Sequence, residues 1–356
     1  MHSNKLELLR SAMHQRKLNA FLVTDIIHVR YLTGFSGSNG VCLITPTKQY
    51  FFTDNRYRQQ SAQEVHSFKI IIAPEQISRT IAEKKLLAGF HRIGIEASAV
   101  TLEEHRTLKR WFPNCRFIST TGIIESMSAI KQPDELDCIR KAAAITDSVF
   151  EKILPLLHPG VRECDIAAEI SYWHRRFGAE GDSFEPIVAS GERGALPHAR
   201  ASEKKMKRGE FVVLDFGCRY KGYCSDITRT VAIGKVSSQF KRIYEIVLEA
   251  QQMAIEAVQP GIPAKSVDAV ARKHIQRHGF GAYFFHSLGH GLGIRIHESL
   301  LLSIRSNEIL QPGNVFTIEP GIYIPDKGGV RIEDDIALHA DRVEIITHSP
   351  KELIVV

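Results

Sequence analysis

The sequence predicts an α/β domain over residues 1–126, followed by an α+β domain over residues 127–356 that repeats one motif about a pseudo-two-fold axis. Three observations carry this prediction. Short β-rich runs alternate with helical stretches up to about Thr120. A strong helix start stands at Pro133. After it, a helix, a Pro-Gly pair, a second helix and an acid-bearing strand occur twice in the same order. At 356 residues the chain exceeds one typical hydrophobic core, and 44% apolar with 24% charged residues is ordinary for a globular protein.

In the first part, the β-rich runs are Phe21-Leu-Val-Thr, Val41-Cys-Leu-Ile, Tyr50-Phe-Phe-Thr, Phe68-Lys-Ile-Ile-Ile and Ile93-Gly-Ile. Helical period appears between them, as over Ile77 to Phe90, so the sheet should be mostly covered. Gly34-Phe-Ser36-Gly37-Ser-Asn-Gly40 lacks the G-x-S-x-G spacing of a hydrolase elbow and reads as a tight loop. The boundary is expected near Ile124 to Gln132. Just beyond it, Pro133 fits a first helical turn, and Asp134 and Glu135 favour the positive end of the helix dipole.

The repeat emerges when Pro159-Gly160-Val161 is laid on Pro260-Gly261-Ile262. Each Pro-Gly precedes a helical stretch, Glu163 to Phe177 or Ala264 to His278, that stops at Gly178 or Gly279. Each copy then reaches a strand with an acid near its end, Asp215 or Glu319. A second acid follows across a glycine turn, Asp226 or Glu333. The repeat predicts that these four acids converge at the axis.

Ionised carboxylates on strands of Phe, Val, Leu and Ile are very costly to bury without a cation. One such acid is more often half of an ion pair; four in repeated positions point to metal. Oxygen ligands joined by an imidazole, assigned to His290 in His286-Ser-Leu-Gly-His290-Gly-Leu-Gly293, favour manganese, cobalt, zinc or iron over calcium. Two such ions can lower the pKa of a trapped water and generate hydroxide near neutral pH, which is hydrolytic chemistry. His198, His286 and His297 border the same segments. Other readings fail: Asp215-Phe216-Gly217 spells a kinase metal motif without its partner motifs, and His297-Glu298 lacks the second histidine of HExxH.

Composition narrows the classes further. A formal charge of +6 is spread along the chain, and its densest run, Lys204, Lys205, Lys207 and Arg208, reads as a solvated turn rather than a nucleic-acid surface. Charged residues interrupt the first nineteen positions, and no apolar run approaches membrane-spanning length, so neither a secretory signal nor membrane insertion is expected. Six scattered cysteines without CxxC pairs suit a reducing cytoplasm, which argues against a Cys218–Cys224 bridge.

Leu214-Asp215-Phe-Gly, Tyr223-Cys-Ser-Asp226-Ile-Thr-Arg229-Thr, Gly289-His290-Gly-Leu-Gly, Ile318-Glu319-Pro-Gly-Ile-Tyr323 and Arg331-Ile-Glu333-Asp-Asp335 stand in one order along the chain. In that order they resemble the pita-bread metallopeptidases, the family of aminopeptidase P, prolidase and methionine aminopeptidase. The resemblance spans essentially the whole chain and implies a creatinase-like N-terminal domain before a pita-bread catalytic domain. It implies two divalent ions, manganese first, with cobalt, zinc or iron as alternatives. The positions of Asp215 and Asp226 would bind one ion, those of Asp226 and Glu333 would bridge, and those of His290 and Glu319 would bind the other. Glu319 would also take the proton of the attacking water. His297, and after it His198, would stabilise the oxyanion, with His286 and Arg331 lining the substrate site. The N-terminal domain and Arg331 point to the proline-directed branch. Tyr31-Leu-Thr-Gly-Phe-Ser-Gly-Ser and Phe52-Thr-Asp54-Asn-Arg56-Tyr57 look like the aminopeptidase P type, so the expected reaction is removal of one residue from peptides with proline second, by a cytoplasmic homodimer. The alternatives are a Xaa-Pro dipeptidase, in which Arg331 could capture a free carboxylate, and a non-catalytic peptide-binding protein on the same fold.

Overall fold

The computed structural model describes residues 2–356, which divide into two compact units, one ending at Ser128 and one beginning at Ala129. In the first, six strands form one sheet in the order Lys69–Ile72, Gln49–Thr53, Val41–Ile44, Ala20–Val23, Arg92–Glu96, Arg116–Thr120. The two outer pairings and the Ala20–Val23 to Arg92–Glu96 pairing are parallel, while the central hairpins are antiparallel. Phe21, Phe51 and Phe52 are completely buried, as the continuous apolar runs require. Gly34, at φ 79°, closes the Ile26–Thr33 helix by donating to Arg30 O and starts the expected tight loop. One element is shorter than its periodicity suggests: the helix from Ile77 stops at Glu83, and turns follow through Lys85 and Gly89, both at positive φ. Those turns deliver Leu87 to the core where a continuing helix would have had to bury Lys84 or Lys85.

The second unit is the repeat in three dimensions. Its first helix, Pro133–Ile153, has proline in the first turn, and Glu135 accepts from Gln132 N at 2.8 Å. Ile139, Ala142, Ala143, Thr146, Val149, Phe150 and Ile153 form its buried stripe at helical spacing. The partner helix is Glu163–Arg176, and the second copy supplies Ser238–Glu256 and Ala264–Arg277. The glycines of the repeat adopt matching left-handed conformations, Gly160 and Gly261 at φ 96° and 86°, and Gly178 and Gly279 at 94° and 86°. Such angles are cheap only for glycine, so the repeated Pro-Gly and terminal Gly are backbone requirements.

Each helix pair packs on one small antiparallel sheet. Phe211–Phe216 lies between Ile187–Ser190 and Ile227–Ala232, covered by Phe150, Ile166 and Ile170. Val315–Ile318 lies between Gly289–Gly291 and Asp334–Leu338, covered by Val247, Ala271 and Ile275. The sheets meet at one bridge, Thr228 opposite Glu333, where Glu333 N donates to Thr228 O at 3.1 Å. Side chains at the ends of both central strands therefore face a common centre.

All six cysteines are free thiols, and among the described residues no helix is long and apolar enough to cross a membrane. The basic run at 204–208 is not wholly solvated. Lys204 Nζ reaches Glu210 at 2.9 Å and Ser190 Oγ at 2.8 Å with its side chain 14% exposed, because the turn folds back on the strand it precedes.

The loop from Ser190 to Ser202, which carries His198, is tied to the helix start by one buried acid. Glu163 accepts from Ser190 N and Oγ, Arg193 Nε, and Ser202 N and Oγ at 2.6–3.1 Å. Glu163→Ala should destabilise the fold by about 3 kcal/mol or more, since five donors lose their acceptor and Arg193 its counter-charge. Chemical denaturation checks this; a midpoint equal to wild type would show that the loop holds itself.

Candidate metal centre

Asp215 lies in the strand Phe211–Phe216, in register with Thr228, while Asp226 immediately precedes the strand Ile227–Ala232. Glu319 immediately follows Val315–Ile318, and Glu333 sits at the bridge to Thr228. The acids thus stand at strand ends and junctions, where the two sheets open onto one cavity of about 530 Å³. His290 enters from the short strand Gly289–Gly291, which comes so close to Val315–Ile318 that a Cβ on Gly289 would lie 1.9 Å from Thr317 O. Glycine at 289 is what lets the His290 backbone reach the acids. All five residues line the cavity, together with His198, His286, His297 and Arg331.

The nearest approaches set out the arrangement. Donor atoms of Asp226, His290 and Glu333 lie within 4.8 Å of one another. His290 Nε2 is 3.4 Å from Glu319 Oε1 and 3.7 Å from Asp226 Oδ2. Its Nδ1 is 3.1 Å from Gly291 O; with a proton there donated to that carbonyl, Nε2 is left to face the acids with its lone pair. Thr228 Oγ1 donates to Glu333 Oε2 at 2.5 Å, and Thr317 Oγ1 to Glu319 Oε1 at 3.1 Å. Asp226 N donates to Asp335 Oδ2 at 3.0 Å, which fixes the backbone but leaves Asp226 Oδ1 buried with no hydrogen-bond partner.

Arg331 lines the same cavity as Glu333 and is coupled to it through Thr228 rather than by a direct hydrogen bond. Its strand ends at Arg331, and Glu333 joins the bridge to Thr228 two residues on. The guanidinium donates instead to Asp215 Oδ2 through Nη2, to Tyr323 Oη at 2.8 Å and Pro197 O at 3.3 Å through Nη1, and to Thr228 Oγ1 at 3.0 Å through Nε. Thr228 then relays the contact to Glu333. His286 holds Tyr323 Oη at 2.9 Å through Nε2, and the His297 ring meets His290 edge to face, 4.2 Å between centroids.

Tyr323, Thr228, Thr317 and Asp335 were not among the residues expected at the site. Thr228 and Thr317 each stand two positions from an expected acid, so strand alternation could have placed them on the same face. Tyr323 closes the motif Ile318-Glu319-Pro-Gly-Ile-Tyr323, which assigned it no role, and it reaches the site through Arg331 and His286.

Burial and mutual repulsion dominate the electrostatics. Burial, reinforced by Glu333 and then Asp215, pushes Asp226 well above the usual carboxylate range, and burial with repulsion from Glu319 does the same to Glu333. Burial raises Asp215 despite Arg331, and burial with Asp215 lifts Glu319 to about 8. Desolvation drives His290 down to about 4 and His286 to about 3, and it lowers His297. Four carboxylates that repel one another, a neutral imidazole facing them and an orphaned carboxylate oxygen form a donor set that fits divalent cations.

A family model described as metallopeptidase family M24 matches residues 137–340, and one described as the Creatinase/Prolidase N-terminal domain matches residues 5–130. The chain is similar to the solved structure of a Xaa-Pro dipeptidase from Bacillus anthracis, 42% identical with a TM-score of 0.97 and 100% of both chains covered. It is also similar to that of an X-Pro aminopeptidase from Thermotoga maritima MSB8, 36% identical with a TM-score of 0.90 over 96% of this chain and 98% of that one. A Xaa-Pro dipeptidase of Pyrococcus horikoshii is 37% identical over 99% of each chain. These neighbours share the two-part architecture, a creatinase-type N-terminal domain before a pita-bread domain.

The raised acids make metal-free stability pH-dependent. Between the ordinary value of 4.5 and about 8, folded Glu319 holds a proton that the unfolded chain has released, so stability falls as pH rises through that window. Thermal melts of chelator-treated protein should therefore show a falling midpoint from about pH 5 to about pH 8, and divalent metal should restore it. A midpoint that rises with pH in the chelated sample would contradict the assigned electrostatics.

Proposed function

The chain belongs to metallopeptidase family M24, and from that premise we propose that it hydrolyses the peptide bond between an N-terminal residue and proline. The observation that carries the proposal is the convergence of Asp215, Asp226, His290, Glu319 and Glu333 on one cavity wide enough for a short peptide. Asp215 and Asp226 would hold one cation, His290 and Glu319 a second, with Asp226 and Glu333 between them. Bound there, two divalent ions would lower the pKa of a trapped water far enough to supply hydroxide near neutral pH. Manganese is the favoured ion, with cobalt, zinc or iron suited to the same donors.

The chain's own groups do the rest. Glu319 would take the proton of the attacking water and pass it to the leaving proline nitrogen. Burial holds His297 neutral, so it can donate one N–H to the oxyanion that develops at the scissile carbonyl, and His198 is the second candidate. Arg331 acts inward, orienting Asp215 and, through Thr228, Glu333. Tyr323 accepts from that guanidinium and is itself held by His286.

Arg331 also bears on substrate length. A dipeptidase needs a cation for the carboxylate beside proline, but Arg331 is committed to Asp215, Thr228 and Tyr323. Among the described residues, the other arginine lining the cavity is Arg200, 85% exposed and 3.6 Å from Glu185. An open cavity without a dedicated buried cation supports the aminopeptidase reading, with peptides of three or more residues extending outward. The dipeptidase reading has support of its own in the Bacillus anthracis and Pyrococcus horikoshii neighbours, and Arg200 is the group that would serve it. Cytoplasmic residence and a homodimer complete the proposal. Free thiols suit a reducing compartment, and Leu196, Phe285 and Leu301 are exposed at or beside cavity-lining residues, as a subunit contact would require.

Glu319→Gln should lower kcat by about 100-fold or more with a much smaller change in KM, because the amide cannot accept the water proton. Steady-state kinetics in saturating manganese check this, and near-native turnover would place the base elsewhere. For substrate length, kcat/KM for a Xaa-Pro dipeptide is compared with that for the same sequence extended by one residue. The longer peptide should win; a strong dipeptide preference that Arg200→Ala abolishes would establish the dipeptidase instead.

A further inference from the structure

Away from the cavity, the last turn of the Ala264–Arg277 helix and the residue after it present two imidazoles on one face. His274 and His278 are four positions apart, with ring centroids 4.6 Å apart, and Glu249 faces them from the Ser238–Glu256 helix. One donor atom from each lies within 4.8 Å of the other two. His278 Nδ1 is 3.0 Å from His274 O; with a proton donated there, Nε2 is free as an acceptor. Glu249 Oε1 lies 3.9 Å from Arg242 while Oε2 turns to His274 Nε2, 3.0 Å away.

That last contact is the informative one. His274 Nε2 is buried and makes no hydrogen bond with proper geometry, although a carboxylate oxygen stands 3.0 Å away. A buried polar nitrogen without a partner is costly. Tetrahedral zinc, with bonds of about 2.0–2.2 Å to nitrogen and oxygen, places neighbouring donors about 3.4 Å apart, within the 4.8 Å that bounds the three donors here.

The repeat supplies an internal comparison. Aligning Pro159 with Pro260 sets His274 against Trp173, His278 against Phe177 and Glu249 against Ser148. In the first copy those positions pack as an aromatic pair, Trp173 on Phe177 at 5.4 Å, with Lys152 over the indole at 5.6 Å. Architecture therefore needs only ring-shaped side chains at this corner. The second copy has replaced both rings with imidazoles and placed a carboxylate opposite, a change that packing does not demand.

We propose that Glu249, His274 and His278 form a further metal site, separate from the catalytic centre, which binds one zinc-class divalent ion and clamps the two helices of the second repeat together. Three protein ligands leave a fourth position for water at the half-exposed edge. The donor set, two imidazoles and one carboxylate, selects zinc, nickel or copper over magnesium or calcium.

Zinc itself is the probe, on the full chain. After equilibrium dialysis against zinc, elemental analysis should find one ion more per chain in the wild type than in His278→Gln, with peptide hydrolysis in manganese unchanged by the substitution. Glu249→Gln, on an exposed residue, is the second variant and should lose the same ion. Loss of outer-sphere partners alone costs about 10–100-fold in metal affinity, so loss of a ligand should cost at least that. Anomalous scattering from a zinc-soaked crystal should place an ion about 2.0–2.2 Å from His274 Nε2 and His278 Nε2. Equal zinc content in the wild type and both variants, or no anomalous peak between these helices, would overturn the proposal. A failure of the catalytic reading would instead appear as absent hydrolysis with this zinc increment intact.

Discussion

Charge concentrated where two small sheets meet is the constraint on which the second unit depends. Asp215, Asp226, Glu319 and Glu333 are brought together on one largely buried wall of the cavity, and burial drives all four toward the protonated state, with mutual repulsion adding to it at Asp226, Glu319 and Glu333. Such a cluster persists only if something compensates it. Arg331 supplies one fixed positive charge, threonine hydroxyls supply hydrogen bonds, and divalent cations are the natural remainder. The same imbalance that makes the metal-free centre a liability makes it a strong cation trap, so stability and catalysis draw on one electrostatic arrangement.

Behind the cluster, a second set of buried groups keeps it in position. Asp334 turns away from the cavity and is held below the ordinary carboxylate range, despite burial, by Arg229 and Lys351. Arg229 Nη2 reaches Asp334 Oδ1 at 2.7 Å and Ser349 O at 2.7 Å, which pins the C-terminal segment to the strand behind Glu333. Across the cavity, the buried pair Lys131 and Glu298 anchors the residue next to His297, and Glu298 also accepts from Ile294 N at 2.9 Å. A buried pair of this kind contributes little net stability over an apolar substitute, but it fixes geometry, because breaking it strands a charge. The segment that carries His297 is therefore anchored through Glu298, as the loop that carries His198 is through Glu163.

Duplication explains the symmetry of the acids but not the chemistry. Each copy delivers two carboxylates from equivalent strands, while His290, His297 and His286 all come from the second copy and His198 from the loop before the first copy's central strand. The helical corner with Trp173 and Phe177 in one copy and His274 and His278 in the other shows the same principle away from the centre. Equivalent backbones accept different side chains wherever packing asks only for volume, and each such position is free to acquire chemistry.

Whatever depends on local backbone rules and on repetition was legible in residue order. Pro133 opened its helix, Gly160 and Gly261 took the same left-handed turn, and the four acids came to one cavity because a duplicated motif must place equivalent residues equivalently, with His290 added from the second copy alone. Elements decided by packing were less legible. The helix from Ile77 ended early so that Leu87 could reach the core, and Lys204 left solvent for Glu210. What Arg331 holds follows from how the two sheets dock. Its Nη2 pairs with Asp215, more than a hundred positions away in sequence, and it is linked to Glu333 through Thr228. Tyr323 joined the site for the same reason. Alternation along one strand is a local property that can be read from residue order, whereas contact between strands of different sheets depends on how those sheets dock, which residue order does not encode position by position.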